Sequence, residues 1–430
     1  MTITIVGHGY VGLVTACVFA DFGNKVHVIG HTQEKINRLI SGDPIIYEPG
    51  LKELLQKNLS AKRIIFTLDY KKPISESDIV FITVGTPPKE NGEADLSAVI
   101  TVAKEIALNL KKGFTVVSCK STVPLGTNRK IEGIINKHKS DDAQFAVASC
   151  PEFLREGTAI KDTLIPDRII IGSESDKAKE ILIDLHKPIG GKRVITNLAS
   201  AELIKYASNS ILATKISFAN LISFYCEKTG GDVETVLDGV GLDHRTGRNF
   251  LFPGLGYGGS CFPKDVKALL AIGNGLNIDT SLLKAVENIN KQAKENMIEK
   301  IIKYSPGKNI AVWGLSFKPD TDDIREAPAL YIINSLIKKG FTIKAYDPVA
   351  MENVKKSFSE KITFVNDQYE AVKDSDALFI ATEWNEFKQI DLNQVKLLLK
   401  SPVIFDGRNI YDPVSMKKLG FKYYSVGRPQ

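Results

Sequence analysis

Thr2-Ile3-Thr4-Ile5-Val6-Gly7-His8-Gly9-Tyr10-Val11-Gly12 stands at the start of this chain of 430 residues. Thr2–Val6 is a short apolar run suited to a strand, and Val11–Phe22 reads as a helix. The glycines between them follow the pattern Gly-x-Gly-x-x-Gly. Between a strand and a helix, that pattern is the dinucleotide-binding fingerprint. Gly7 permits the tight turn, Gly9 lets a pyrophosphate approach, and Gly12 allows the helix to pack closely on the strand. Lys25–Ile29 reads as the next strand, and apolar runs follow at Asp78–Val84, Thr115–Ser118 and Arg168–Ile171. Strands that alternate with helical stretches imply a parallel sheet covered on both faces.

The pattern changes from about Ala199 to Lys300. Ala199–Thr229 has no proline, and Leu203, Ile204, Ala207, Ile211, Leu212, Ile216, Ala219 and Ile222 recur at a helical period. A helix this long with so wide an apolar face is expected to pack against another helix, including one of a second subunit. Asp279–Lys300 is a further helical stretch. Beyond Ser305-Pro306-Gly307-Lys308 the alternation resumes, with strands at Asn309–Trp313 and Thr342–Tyr346 and a helix at Ala327–Lys339. The two ends echo each other: Glu76-Ser77-Asp78-Ile79-Val80-Phe81-Ile82-Thr83 resembles Asp374-Ser375-Asp376-Ala377-Leu378-Phe379-Ile380-Ala381. The expected architecture is α/β, with two Rossmann-like parallel-sheet domains separated by a helical middle. The expected segments are 1–196, 197–300 and 301–430.

Composition narrows the function classes. Hydrophobic content of 43% and charged content of 25% describe an ordinary soluble globular chain. The net charge of +6 is dispersed, so nucleic-acid binding is not indicated, although it would help a polyanionic ligand approach. Cys17, Cys119, Cys150, Cys226 and Cys261 are far apart and form no Cys-x-x-Cys pair, which argues against a disulfide framework or structural zinc. The histidines show no metal spacing, so no metal is expected. No signal-peptide pattern and no long apolar run is present, so no membrane segment is expected and a cytoplasmic setting follows.

The second strand ends in Ile29-Gly30-His31-Thr32, where an NAD site would present an acidic residue to the ribose hydroxyls. Without that carboxylate, repulsion against a 2′-phosphate is absent, and His31, Thr32 and Lys35 are candidates to contact one. NAD is the expected cofactor, held with one fewer hydrogen bond; relaxed or NADP-leaning choice is the alternative.

A second glycine-rich segment is Gly254-Leu255-Gly256-Tyr257-Gly258-Gly259-Ser260-Cys261-Phe262-Pro263-Lys264-Asp265. Pro263 and Asp265 suit the first turn of a helix, which places Cys261 at its start. A helix N-terminus favours the thiolate. The glycines leave room for a ligand at the backbone.

Taken together, these motifs resemble the UDP-glucose/GDP-mannose dehydrogenase family over nearly the whole chain, from Ile3 to about Asp412. The segments that carry the resemblance include Lys120-Ser121-Thr122-Val123-Pro124, Pro151-Glu152-Phe153-Leu154-Arg155-Glu156-Gly157-Thr158-Ala159, Glu202-Leu203-Ile204-Lys205-Tyr206-Ala207-Ser208-Asn209, Phe317-Lys318-Pro319-Asp320-Thr321-Asp322-Asp323-Ile324-Arg325 and Asp406-Gly407-Arg408. The resemblance implies two Rossmann-like domains joined by a central helical region that makes a homodimer. It implies a four-electron oxidation of a nucleotide sugar, UDP-glucose to UDP-glucuronate, with two cofactor molecules each accepting a hydride. Such a product feeds polysaccharide synthesis. A second hydride transfer requires a tetrahedral adduct at the aldehyde carbon, and a thiolate supplies it.

By the same resemblance, Cys261 is the nucleophile and Lys205 stabilises oxygen charge, with Asn209 on the same helix face. Thr122 and Asp265 hold a water, and Glu152 acts as base in hydrolysis. The cofactor side comprises Gly7, Gly9, Tyr10, Val11, Gly12, Gly30, His31, Thr32, Lys35, Val84, Gly85, Thr86, Pro87, Ser121, Thr122, Glu156 and Arg325. The sugar-nucleotide side comprises Glu152, Phe153, Leu154, Arg155, Lys205, Asn209, Phe250, Leu251, Phe252, Gly254, Gly256, Gly258, Phe317, Lys318 and Arg408, with Arg245 reaching across from a partner subunit. Ser260 before the nucleophile, the lead-in Phe250-Leu251-Phe252-Pro253 and the sequence Phe262-Pro263-Lys264-Asp265 favour the UDP-glucose branch. GDP-mannose and UDP-N-acetylmannosamine enzymes are the rivals within the family. Outside it stand a single-step hydroxyacid dehydrogenase and a nucleotide-sugar sensor without turnover.

Overall fold

A computed structural model describes residues 1–358 and 361–429. The chain divides into two compact units, Met1–Ser208 with Lys267–Asn277, and Asn209–Val266 with Ile278–Gln430.

The first unit is built on eight strands: β1 (Thr2–Val6), β2 (Lys25–Ile29), β3 (Ile64–Thr67), β4 (Ile79–Ile82), β5 (Gly113–Cys119), β6 (Ala143–Ser149), β7 (Arg168–Ser173) and β8 (Lys192–Thr196). Their order is β3-β2-β1-β4-β5-β6-β7-β8. Alternate residues of each strand face opposite helical layers, as a period of two requires. Ile3, Ile5 and Phe81 join one buried cluster; Val6, Val80 and Ile82 join the other. The helix Tyr10–Asp21 follows β1 as the glycine pattern implies, and a Cβ on Gly12 would lie 2.1 Å from the Gly7 carbonyl oxygen. Glycine is therefore the residue that lets this helix start so close to β1.

One expectation is corrected. The sheet is parallel except at β6 and β7, which run antiparallel with the registered pairs Ala148–Ser173 and Ser149–Gly172. Those pairs are the last residues of both strands. Residues 150–167 stay beyond the C-terminal end of β6, and the chain re-enters the sheet from that side.

The second unit carries β9 (Asn309–Trp313), β10 (Thr342–Tyr346), β11 (Ile362–Phe364), β12 (Ala377–Ile380), β13 (Val403–Asp406) and β14 (Lys422–Tyr424), ordered β11-β10-β9-β12-β13-β14 and parallel at every described pair. The echo noted in the sequence is structural, because β4 and β12 hold the same place in their sheets. Asp78 Oδ2 accepts from the Thr2 amide at 3.0 Å, and Asp376 Oδ2 accepts from the Asn309 amide at 2.9 Å. Ser77 and Ser375 are both buried, and each donates its hydroxyl to the carbonyl four residues earlier.

The middle of the chain is helical, with helices at Leu198–Thr229, Val233–Gly241, Phe262–Gly275 and Ser281–Tyr304. In the second unit, Ala213 and Ile216 of the long helix pack with Tyr257, Val266 and Val286, and Ala219 and Cys226 pack with Val233 and Leu237.

Asp347, directly after β10, is fully buried. Its Oδ2 accepts from the amides of Leu315 and Ser316 at 2.7 and 3.1 Å, and its Oδ1 accepts from those of Val349 and Ala350 at 3.0 and 2.8 Å. Asp347→Ala leaves four amides without this acceptor, those of the buried Leu315, Ser316 and Ala350 and of the half-buried Val349. The expected cost is about 3 kcal/mol, read as a fall of roughly 6–10 °C in apparent Tm by calorimetry. An unchanged Tm would mean that this carboxylate does not hold the loop.

Candidate active site

In open α/β sheets the ligand crevice lies where the strand order reverses, at the C-terminal ends of the strands. In the first unit that point lies between β1 and β4. Thr83 fastens it, its hydroxyl donating to the carbonyls of Val6 and Gly7 at 2.9 and 3.2 Å. Gly9 sits at the N-terminus of the helix Tyr10–Asp21, and a Cβ there would meet no protein atom within 4 Å. Packing does not demand glycine at this place, whereas the approach of a diphosphate to the helix N-terminus does. The residues present therefore fit a dinucleotide. Val84, Gly85, Thr86 and Pro87 follow β4 and are tied to the loop after β5: Ser121 Oγ donates to the Val84 carbonyl at 2.7 Å, and Thr86 Oγ1 to the Thr122 carbonyl at 2.8 Å. The Tyr10 hydroxyl bonds the Tyr47 carbonyl. Glu48 accepts from the amides of Gly157 and Ala159 at 2.6 and 2.7 Å, which fixes the turn that follows Glu156.

Beyond β6 stands a buried ion pair. Lys205 and Glu152 are 3% and 8% exposed. Lys205 Nζ donates to the Glu152 carbonyl at 2.6 Å and to Glu152 Oε1 at 3.3 Å, while Glu152 Oε2 accepts from the Leu154 amide at 2.9 Å. Lys205 is thus not a solvated surface charge. Its ammonium also lies 5.1 Å from the Phe153 ring, which takes the Arg168 guanidinium at 3.9 Å. Arg155 is committed to Asp162, with contacts of 2.8–3.0 Å from its amide and guanidinium.

In the second unit, the loop that bears the thiol is held from two helices. Asn220 Oδ1 accepts from the Gly254 amide at 2.8 Å. Asn290 Oδ1 accepts from the Tyr257 amide at 2.7 Å, and its Nδ2 donates to the Tyr257 carbonyl at 3.2 Å. Gly256 has φ of +90° and leaves no space for a Cβ, which would lie 2.3 Å from Asn290 Oδ1. Gly258 is as tightly confined, against the Glu326 carbonyl. Phe250 takes a left-handed φ of +65° and packs on Phe262 at 6.2 Å, Leu251 is buried, and Phe252 is exposed. Cys261 ends the loop, half-buried, and its carbonyl accepts from the Asp265 amide at 2.9 Å, so it caps the helix Phe262–Gly275 as expected. Asp265 is fully buried; Asn209 Nδ2 donates to its Oδ2 at 2.5 Å and Lys264 Nζ to its Oδ1 at 2.6 Å. Asn209 and Lys205 are both buried on the long helix, with different carboxylate partners.

The reversal in the second sheet lies between β9 and β12. Lys318 follows β9, and Arg408 follows β13. Arg408 links the loops at this point, with Nε donating to the Ala381 carbonyl at 2.8 Å and Nη2 to the Phe317 carbonyl at 3.2 Å. Arg325 pairs with Asp323 at 2.6–2.8 Å, and Arg245 is exposed and pairs with Asp243 at 2.6 Å.

Residues 1–190 match the NAD binding domain of the UDP-glucose/GDP-mannose dehydrogenase family, 199–292 its central domain and 311–413 its UDP binding domain. The chain belongs to this family. UDP-glucose 6-dehydrogenase TuaD of Bacillus subtilis is 46% identical, over 99% of this chain and 93% of that protein. UDP-glucose 6-dehydrogenase of Pseudomonas aeruginosa is 42% identical, over 100% and 98%. Among solved structures, a UDP-glucose dehydrogenase from Pyrobaculum islandicum superposes with a TM-score of 0.92 at 35% identity, covering 100% of this chain and 98% of that one. A UDP-D-ManNAc dehydrogenase from Pyrococcus horikoshii superposes with 0.86 at 28% identity, covering 100% and 99%.

Sequence reasoning did not single out Asn220, Asn290, Thr83, Glu48 or Arg168. Asn220 and Asn290 had a readable signal, since each is an amide set among apolar residues of a long helix. Asn290→Leu keeps the branched shape and strips two hydrogen bonds from a buried loop. It should cost about 2–4 kcal/mol and lower kcat through a misplaced thiol, checked by calorimetry and steady-state kinetics together. Unaltered values of both would deny the clamp.

Proposed function

We propose that this chain oxidises UDP-glucose to UDP-glucuronate, as a UDP-glucose 6-dehydrogenase with NAD as cofactor. The observation that carries the reading is Cys261, presented at a helix N-terminus by a clamped glycine loop in a chain that matches all three domains of this family. NAD supplies the two-electron acceptor for each of the two oxidations. Gly7, Gly9 and Gly12 would hold it, with Val84–Pro87, Ser121 and Glu156.

The first oxidation converts the C6 alcohol to an aldehyde. The Cys261 thiolate then adds to the aldehyde carbon, forming a C–S bond and placing negative charge on oxygen. Lys205, held by Glu152, is assigned to stabilise that charge. Loss of the second hydride leaves a thioester. Water held by Thr122 and Asp265 attacks its carbonyl with Glu152 as base, the C–S bond breaks, and the thiol is restored. Asn209 fixes Asp265. Lys318, Arg408 and the loop Phe250–Gly258 are assigned to the diphosphate and sugar, for which paired guanidinium bonds are suited.

A homodimer is part of the proposal. Leu203, Ile211, Phe218 and Tyr225 recur at seven- or eight-residue steps along the long helix and are 43–62% exposed. Such an apolar stripe on one face supports a helix–helix seam, with Arg245 reaching the partner's site. The cytoplasm is the proposed setting, and none of the five cysteines is disulfide-bonded.

Purified enzyme should reduce two NAD per acid formed, and UDP-glucose should exceed GDP-mannose and UDP-N-acetylmannosamine in kcat/KM. One NAD per product, or preference for another sugar, would overturn the assignment. Cys261→Ala should abolish acid formation while UDP-glucose still binds by calorimetry; full acid production would refute the covalent route. Lys205→Ala should lower kcat by about 10²–10³-fold, and a raised KM at equal kcat would contradict its role. Phe218→Glu should convert the dimer to monomer in sedimentation; an unchanged sedimentation coefficient would remove the stripe from the interface.

A further inference from the structure

The end of β2 is built differently from an ordinary NAD site. There, a carboxylate after the second strand accepts from the adenosine ribose hydroxyls, and its charge repels a 2′-phosphate. Gly30 holds that place here, and a side chain on it would require Ile36 to shift. A Cβ would lie 2.6 Å from Ile36 Cδ1 and 3.5 Å from His8 Cδ2. Ile36, buried on the helix Gln33–Ile40, occupies the volume an acidic residue would need.

His31 and Lys35 are exposed. The His31 ring meets His8 edge-on at 4.7 Å. His8 is 4% exposed, and its Nε2 has no hydrogen-bond partner among the described residues. A buried polar atom left so is costly, and a ligand's polar group would recover that cost. Burial, with the nearby His31 and Lys35, pushes His8 down to about 4, so its ring is neutral near neutral pH. The carboxylate after the adjacent strand β3 is taken up locally: Asp69 accepts from the amides of Lys71 and Lys72 at 3.0 and 3.2 Å. Glu34, in the first turn of the same helix, is exposed.

We propose that Gly30, His31 and Lys35 form an adenosine subsite that accepts a 2′-phosphate, so that the protein binds 2′-phosphorylated dinucleotide as well as NAD. This rests on the cofactor reading above and adds a ligand class to it. Gly30 removes the repelling charge, Lys35 supplies positive charge, and His31 supplies a ring donor where the phosphate dianion would lie.

Calorimetric titration of the full chain with ADP-ribose and with 2′-phospho-ADP-ribose tests this without turnover. The two Kd values should agree within about tenfold. Lys35→Glu should raise the ratio of phosphorylated to unphosphorylated Kd by about tenfold, since it replaces an attracting charge with a repelling one. Gly30→Asp alone collides with Ile36, so it is combined with Ile36→Ala, and that pair should raise the ratio by a similar factor. If ADP-ribose binds and the phosphorylated ligand binds more than about a hundredfold weaker, the proposal is overturned and the cofactor reading stands. A ratio unmoved by both variants overturns it too. Binding of neither ligand overturns the cofactor reading itself.

Discussion

Buried carboxylates that accept backbone amides hold the loops on which function depends. Glu48 grips the turn before Ala159, Glu202 the start of the helix Thr127–His138, Asp347 the loop after β9, and Asp406 the segment Arg408–Tyr411. Each lies within a single unit. A buried carboxylate is costly unless several donors meet it, and these meet between two and five. Asp406 marks the limit of the device: burial pushes its carboxyl above the usual range although the Tyr423 hydroxyl and the amides of Arg408, Ile410 and Tyr411 pull the other way. Loops at strand ends carry their own unpaired polar groups, and one acid per loop converts a mobile connection into a fixed one.

That constraint bears directly on the chemistry. The Glu152 carboxylate binds its own loop through the Leu154 amide while it accepts from Lys205. The ammonium is held by a carbonyl, a carboxylate and the Phe153 ring together. A lysine fixed in this way stays oriented without a ligand, so the charge-stabilising role proposed for it would need little reorganisation. The thiol is treated similarly, but by neutral amides: Asn220 and Asn290 settle the backbone of its loop.

The elements that depend on local pattern were readable from the chain. Glycine spacing located the first turn, alternation located β1, β2, β9 and β10, and a helical period located the long helix. The Glu76–Thr83 echo proved to mark the same position in both sheets, because a wholly buried apolar strand and its Ser-Asp entry are written in adjacent residues. What escaped were pairings between distant residues. The antiparallel turn of β7 depends on where residues 150–167 lie, which no periodicity records. Asn290 meets Tyr257 across 33 positions, and Arg168 meets Phe153 through a ring face with no motif spacing. Arginines at Arg155, Arg245 and Arg325 looked like ligand cations, and each has a near carboxylate in the chain that the sequence did not reveal as its partner.

The repeated Ser77-Asp78 and Ser375-Asp376 entries fasten the two sheets alike. Both lie where strands begin, and both make the same bonds. The turns at the opposite ends correspond as well: Gly7 and Gly314 follow the first strand of each sheet with positive φ, and their amides donate at 2.9 Å to the carbonyls of Ile29 and Tyr346. What differs is the residue after the second strand, Gly30 in one sheet and the buried Asp347 in the other. One frame, secured at both edges, thus tolerates unlike residues at that single junction.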